Sequence, residues 1–101
     1  MGKLVRDRIP EMIAAEGRTP RVRVLDDLEY EAALLDKLCE EVAELRAAEP
    51  HHRLGEAADI YEVLLSILAR EGMGADELVV AAAEKQRTRG GFTQRCWWEA
   101  D

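Results

Sequence analysis

Apolar residues recur at helical spacing along most of the chain and predict four helices. The first and shortest is predicted within "RDRIPEMIAAEG". Asp7 is placed to cap it, Pro10 suits its first turn because its missing N–H is not needed there, and Gly17 follows its end.

Three longer helices follow, predicted from residue 26 or 27 to about 48, from near residue 53 to 71, and over "ADELVVAAAEKQRTR". Pro50 ends the first of these, because proline lacks the backbone N–H that a helix interior requires. Gly72 closes the next, and the pair Gly90–Gly91 stops the last.

One short segment alternates in the manner of a strand. In "TPRVRVL", two valines alternate with two arginines, and "FTQRCWWEA" near the end reads as extended or irregular. The predicted fold is therefore mostly α, a four-helix bundle, with an optional short two-stranded β ribbon pairing about 21–25 with 92–99. Residues 1–101 are predicted to form a single helical domain.

The predicted core lies between the second and third helices. One face of the second helix carries an apolar stripe: Leu34, Leu35, Leu38, Val42 and Leu45. The third helix is apolar over more than half its circumference, on a face defined by Leu54, Ala57, Ala58, Tyr61, Leu64, Leu65 and Leu68. If the two helices pack antiparallel through these faces, residues at the edges of the faces meet across the seam.

Charge is unevenly distributed along the 101 residues, whose net charge is −7. Residues 1–23 hold six basic and three acidic side chains, residues 24–84 hold four and sixteen, and residues 85–101 hold four and two. The overall balance argues against nucleic-acid binding, which needs a basic surface. An acidic middle between basic ends suits a site where metal-binding carboxylates and phosphate-binding cations converge.

Nothing in the sequence reads as a membrane span or a signal peptide. "AADIYEVLLSILA" contains Asp59 and Glu62, and "MGKLVRDRIP" has no apolar segment behind its charges. Cys39 and Cys96 are far apart and unpatterned, which suits packing residues in a reducing compartment. A cytoplasmic location is expected.

Two acidic pairs stand out, in "LCEEVAEL" and "GEAADIYEVLL". Glu41 and Glu44 lie along one edge of the stripe on the second helix, and Glu56 and Asp59 lie beside the broad face of the third. Pairs at i,i+3 on two facing helices would bring four carboxylates together, and Mg²⁺ prefers such oxygen ligands. The alternative is a solvated helix edge, where water screens the repulsion between like charges.

The order "EEVAE" then "EAAD" resembles the EExxE…ExxD signature of the MazG-like, all-α nucleoside triphosphate pyrophosphohydrolases. "KLVRDRIPEMI" and "KQRTRGGFTQRCWWE" resemble a small bacterial and phage branch of that superfamily, so the resemblance covers nearly the whole chain. It implies Mg²⁺-dependent cleavage between the α- and β-phosphates, giving the monophosphate and pyrophosphate, in the removal of noncanonical or surplus nucleotides. Mn²⁺ is expected to substitute for Mg²⁺.

The resemblance also implies roles for individual residues. Glu41, Glu44, Glu56 and Asp59 correspond to the metal ligands, and Glu40 is the candidate to orient or deprotonate the attacking water. The candidate phosphate-binding cations are Lys37, Lys85, Arg89, Arg95, Lys3, Arg6 and Arg8.

A nucleoside pocket is large for a subunit of this size, so we expect a homodimer or tetramer with shared pockets. The expected partner is a nucleoside triphosphate substrate, with no nucleic acid and no membrane. Two alternatives stay open. One is phosphoribosyl-ATP pyrophosphohydrolysis in histidine synthesis, and the other is a noncatalytic helical module that binds nucleotides or a protein.

Overall fold

The computed structural model describes residues 2–101, and every regular element in that range is helical. The elements in chain order are α1 (Ile9–Ala15), α2 (Asp27–Ala47), a 3₁₀ turn (Pro50–His52), α3 (Arg53–Ala69) and α4 (Ala75–Arg89). The prediction of a mostly α chain with four helices is confirmed. None of the helices in the described residues is both long enough and apolar enough to cross a membrane.

Reciprocal hydrogen bonds fix the start of α2. The Asp26 carboxylate accepts a hydrogen bond from the backbone N–H of Glu29 at 2.9 Å, and the Glu29 carboxylate accepts one from the backbone N–H of Asp26 at 3.2 Å. This capping box satisfies two N–H groups at the helix start that have no partner within the helix. Arg23 adds two hydrogen bonds to the Glu29 carboxylate, at 2.7 and 3.1 Å.

The start of α1 differs from the prediction. Arg8 occupies the capping position with no capping hydrogen bond from a side chain, so the expected cap by Asp7 is wrong. Pro10 lies in the first turn as predicted. Arg8 instead donates to the Glu11 carboxylate at 2.8 Å, an i,i+3 pair on the surface of the same helix.

Helices α2 and α3 pack against each other as a helical hairpin, because the short connection over residues 48–52 reverses the chain. Leu34 of α2 keeps 3% of its surface exposed and Val63 of α3 keeps 7%. Leu34 belongs to the predicted face of α2, whereas Val63 lies beside the predicted face of α3 and was not assigned to it. The remaining members of the predicted faces are half-buried, such as Leu38 and Leu64, or exposed, such as Leu54. One hairpin therefore covers only part of the apolar surface that its two helices present.

The expected ribbon between 21–25 and 92–99 is wrong, since neither segment forms a strand. Val22 and Val24 are both exposed. Arg23 is drawn toward α2 by its bonds to Glu29. An isolated two-stranded ribbon is marginally stable in water, and these segments offer no further strand to support one.

The chain is open in shape. Its radius of gyration is 17.4 Å, with extents of 57 × 34 × 26 Å, whereas a compact domain of about 100 residues has a radius near 13 Å. In the part of the chain described, α1 and α4 have no packing contact comparable to that between α2 and α3. The four helices thus do not close into a bundle within one chain.

Candidate metal centre

Three carboxylates converge on one side of the hairpin. Glu41 of α2 and Glu56 and Asp59 of α3 each bring an oxygen to within 4.8 Å of the others. The i,i+3 spacing puts the two α3 residues on neighbouring turns of one face, and the hairpin places Glu41 opposite them. Three of the four predicted metal ligands are thereby brought together.

Glu41 is the deepest of the three, with 8% of its surface exposed. A carboxylate withdrawn from water loses stabilising hydration unless a cation or hydrogen-bond donor replaces it. Lys37, one turn earlier, places its Nζ 3.4 Å from Glu41 Oε1. Partial burial lowers the pKa of Lys37, but its bonds and charge interactions with Glu40 and Glu41 outweigh this and leave the pKa raised.

Asp59 is held by a residue from the N-terminal segment of the chain. Arg6 Nη2 donates to Asp59 Oδ1 at 2.7 Å. This hydrogen bond is the main reason that the pKa of Arg6 is raised, and the negative charges of Asp59, Glu62 and Glu41 add to it. The N-terminal segment thus supplies a cation to the acidic cluster.

Glu56 differs from its two neighbours. Its pKa is raised, first by loss of hydration and then by the negative charges of Asp59, Glu44 and Glu41. Among the described residues it forms no ion pair. The negative charges around Glu56 therefore add to its loss of hydration, and a cation bound there would offset both effects.

Glu44 and Glu40 lie beside the cluster rather than in it. Glu44 is exposed and outside the group of three, although its charge acts on Glu56. The Glu40 carboxylate forms ion pairs with Lys37, whose Nζ lies 3.0 Å from Oε2, and with Lys3, whose Nζ lies 3.7 Å from Oε1. The hydrogen bond from Lys37 is the main reason that the pKa of Glu40 is lowered. Its carboxylate borders a shallow depression lined by Gly2, Lys3, Leu4, Ala33, Asp36 and Lys37.

The remaining predicted cations lie elsewhere. Arg8 pairs with Glu11 on α1. Lys85 and Arg89 are exposed on α4, and Arg95 is exposed beyond it with a φ of 60°, in the left-handed region. Throughout residues 2–101, none of these four forms an ion pair with the acidic cluster.

The donor set fits a hard divalent cation. All three groups offer carboxylate oxygens, the ligands that Mg²⁺ and Ca²⁺ prefer. In an octahedral Mg²⁺ site, ligand oxygens are about 3 to 4 Å apart, so a cluster within 4.8 Å needs only a small contraction. Water would fill the remaining positions, as is usual for Mg²⁺.

Part of this site has no signal in the sequence. The contact between Lys37 and Glu41 follows from their i,i+4 spacing on one helix. The contact between Arg6 and Asp59 joins residues 53 positions apart. No periodicity links them, and the resemblance indicates Arg6 only as a phosphate-binding candidate.

Comparison with known proteins adds one relative. An uncharacterized protein of Mycolicibacterium smegmatis is 69% identical over 49 residues, which is 48% of this chain and 50% of that protein. The chain therefore spans about half the length of the curated relative it matches. No family model matches the chain, and no solved structure matches it.

Proposed function

We propose that this protein is a Mg²⁺-dependent nucleoside triphosphate pyrophosphohydrolase that releases the monophosphate and pyrophosphate. The observation that carries the proposal is the convergence of Glu41, Glu56 and Asp59 from two helices, with oxygens within 4.8 Å of one another. The resemblance of "EEVAE…EAAD" to the MazG-like signature supports it, since the same carboxylates are the ligands there.

Glu41, Glu56 and Asp59 would hold the metal, and Glu44, whose charge acts on Glu56, is proposed to assist them. A bound divalent ion would neutralise charge on the phosphates and lower the pKa of a coordinated water. The buried position of Glu41 favours binding, because electrostatic attraction is stronger where water is partly excluded.

Glu40 is proposed to position the attacking water. Its lowered pKa keeps the carboxylate charged near neutral pH, and Lys37 and Lys3 restrict where its oxygens point. A lowered pKa also makes Glu40 a weak base. We therefore favour orientation of the water, by accepting its hydrogen bond, over full deprotonation by Glu40.

Arg6 and Lys3 are proposed to contact the triphosphate. Both belong to the N-terminal segment, where Arg6 bonds Asp59 of the cluster and Lys3 pairs with Glu40 beside it. Guanidinium groups bind phosphate oxygens through paired hydrogen bonds. Lys85, Arg89 and Arg95 would reach a substrate from a second subunit, in a homodimer or tetramer with shared pockets.

The test is pyrophosphate release from canonical and damaged nucleoside triphosphates, with and without Mg²⁺ or Mn²⁺. The proposal expects metal-dependent formation of the monophosphate and pyrophosphate in equal amounts. Nucleoside diphosphate and orthophosphate as products would refute it, because attack would then fall on the γ-phosphorus.

Phosphoribosyl-ATP is included in the same screen, because its turnover distinguishes the alternative role in histidine synthesis from the hydrolysis of nucleoside triphosphates. Exclusive turnover of that compound would keep the reaction class and change the substrate. Metal binding without turnover of any compound would instead favour a noncatalytic binding module.

A further inference from the structure

The α2–α3 hairpin presents an apolar stripe to solvent. On α2 its members recur every seven residues, at Leu28, Leu35 and Val42, and on α3 Leu54 and Tyr61 share the same spacing. All five are exposed. Apolar residues spaced seven positions apart lie on one face of a helix, and this spacing is typical of a face that packs against a partner. We call these five residues the hairpin stripe.

A second uncovered apolar surface lies at the other end of the chain. We call residues 75–101, which comprise α4 and the segment after it, the C-terminal arm. Phe92 is 96% exposed, Trp97 84% and Trp98 80%, and Val79 and Val80 on α4 are exposed as well. Aromatic side chains are enriched in protein interfaces, and large exposed apolar patches mark interaction sites.

The total surface shows that the chain leaves more area uncovered than a compact monomer of its size. The chain exposes 9122 Å², whereas a folded monomer of 11.4 kDa is expected to expose about 5,800 Å². The excess of roughly 3,000 Å² is more than the ~800 Å² per partner that a standard interface buries. It is of the size found where obligate partners complete one another's core.

Charge indicates what covers the stripe. The hairpin, residues 27–69, carries eleven acidic and three basic side chains, and residues 85–101 of the arm carry four basic and two acidic ones. The arm as a whole is nearly neutral, with four basic and five acidic side chains, but its residues 85–95 carry four basic and no acidic ones. This basic stretch, which contains Phe92, is complementary to the acidic hairpin in both charge and apolar character. Two hairpin stripes facing each other would instead bring two strongly acidic surfaces together.

We propose that the C-terminal arm of one chain docks on the hairpin stripe of a second copy, and that the exchange is reciprocal. Two arms and two stripes then close a two-fold dimer with no stripe left over. The Gly90–Gly91 pair, with Gly90 at a φ of 80°, lets the chain change direction between α4 and the aromatic segment. The proposal concerns assembly alone and does not depend on the proposed activity.

The two cysteines provide a direct test. Cys39 lies four residues after Leu35 and three before Val42, on the same side of α2 as the stripe, and Cys96 immediately precedes Trp97. Both thiols are free and exposed. We expect the aromatic segment to dock along the α2 part of the stripe, which brings Cys39 of one chain near Cys96 of the other.

The first experiment measures the mass of the full chain in solution, without nucleotide or metal, and then treats it with a short bis-maleimide. The proposal expects a dimer, or a tetramer built from such dimers. It also expects a covalent dimer whose cross-linked peptides contain Cys39 and Cys96, reduced at least tenfold in both Cys39→Ser and Cys96→Ser. A monomeric chain would overturn the proposal. So would a Cys39–Cys39 cross-link that persists in Cys96→Ser, because it would mean that stripe faces stripe.

The second experiment removes the aromatic contacts. Trp97→Ala combined with Trp98→Ala should raise the dimer dissociation constant at least tenfold, while helix content by circular dichroism stays unchanged. Met12→Ala is the matched control, because Met12 is an exposed apolar residue on α1, outside both surfaces. An unchanged dissociation constant in the double variant would refute docking through the arm. Since neither experiment involves catalysis, failure here leaves the proposed activity to its own test.

Discussion

The hairpin and the C-terminal arm both contain long helices and both are rich in apolar residues, yet they differ in burial. Within residues 2–101, the three buried side chains, Leu34, Glu41 and Val63, all belong to the hairpin. In the arm, every residue from Val79 onward is exposed. Apolar content therefore does not distinguish the two regions.

What distinguishes them is the presence of a matching face within reach. Helices α2 and α3 are joined by five residues, so the faces around Leu34 and Val63 meet at little entropic cost. In α4 the run "LVVAAA" places apolar side chains around the helix rather than along one face. Local signals therefore suffice to form a helix, whereas burial needs a complementary surface, here proposed to come from a second copy.

The largest expected effects concern chemistry on the hairpin. Glu41→Gln and Asp59→Asn keep the size of the side chain and remove a charge that would bind metal. Turnover should fall by about 100-fold or more, because the cation is no longer held in place. Unfolding free energy without metal should be unchanged or higher, since neutralising one of several like charges relieves repulsion at Glu56.

Steady-state kinetics and metal titration on the purified variants check this result. Glu31→Gln is the matched control, an exposed carboxylate on α2 ten residues before Glu41, and it should change neither quantity. Full activity in Asp59→Asn, or an unfolded Glu41→Gln, would contradict the two-helix metal site.

The next effect contrasts the two regions in stability. Leu34→Ala removes a side chain that is 3% exposed and should lower the unfolding free energy by about 2 to 4 kcal/mol. Val80→Ala on α4 should cost less than about 0.5 kcal/mol at concentrations where the chain is monomeric. Denaturant unfolding at low protein concentration measures both. Equal losses would mean that the arm packs within its own chain.

Much of the fold was predictable because its determinants are local. The three longer helices end at or near Pro50, Gly72 and Gly90, whose effects depend only on neighbouring residues. The ribbon was predicted wrongly because pairing is nonlocal, and two valines alternating with arginines do not specify a partner strand. Trp97 and Trp98 are both exposed, because the described residues offer no surface that covers them.

The candidate site also combines contacts that local spacing predicts with one contact that it does not. The position of Glu41 relative to Lys37, and of Glu56 relative to Asp59, follows from helical spacing. That the two helices meet at these residues follows from the apolar stripes. The reach of Arg6 to Asp59 depends on the path of the N-terminal segment over the hairpin, which no pattern in the sequence encodes.

That contact gives a smaller, sharper prediction. Arg6 donates a hydrogen bond to Asp59 Oδ1 at 2.7 Å, so it would compete with a metal ion for the same oxygen. Arg6→Gln should tighten Mg²⁺ or Mn²⁺ binding by roughly fivefold, equivalent to about 1 kcal/mol for one charge removed from a largely hydrated site. Calorimetric titration measures the change. Weaker metal binding in the variant would show that Arg6 supports the site by positioning Asp59 rather than by occupying it.

The smallest expected effect tests whether the start of the hairpin is held by charge. The hydrogen bond from Arg23, followed by that from the backbone of Asp26, lowers the pKa of Glu29 from an ordinary value of 4.5 to about 2. The pKa of Glu29 is lower in the folded chain than in the unfolded one, so the charged carboxylate stabilises the fold. This stabilisation is fully present at pH values above the pKa of the unfolded chain, and it is lost as the pH falls from about 5 toward 2.

Glu29→Gln should therefore reduce the unfolding free energy near pH 6, and this loss should shrink as the pH falls toward 2, where Glu29 is protonated in the unfolded chain and about half protonated in the folded one. Thermal unfolding across this range measures the difference, and Glu31→Gln, two residues away, should show no such pH dependence. Salt should diminish the effect, because the Arg23–Glu29 pair is largely exposed. A difference between wild type and Glu29→Gln that persists unchanged at the lowest pH would mean that the cap acts through hydrogen-bond geometry alone, with no contribution from the charge of Glu29.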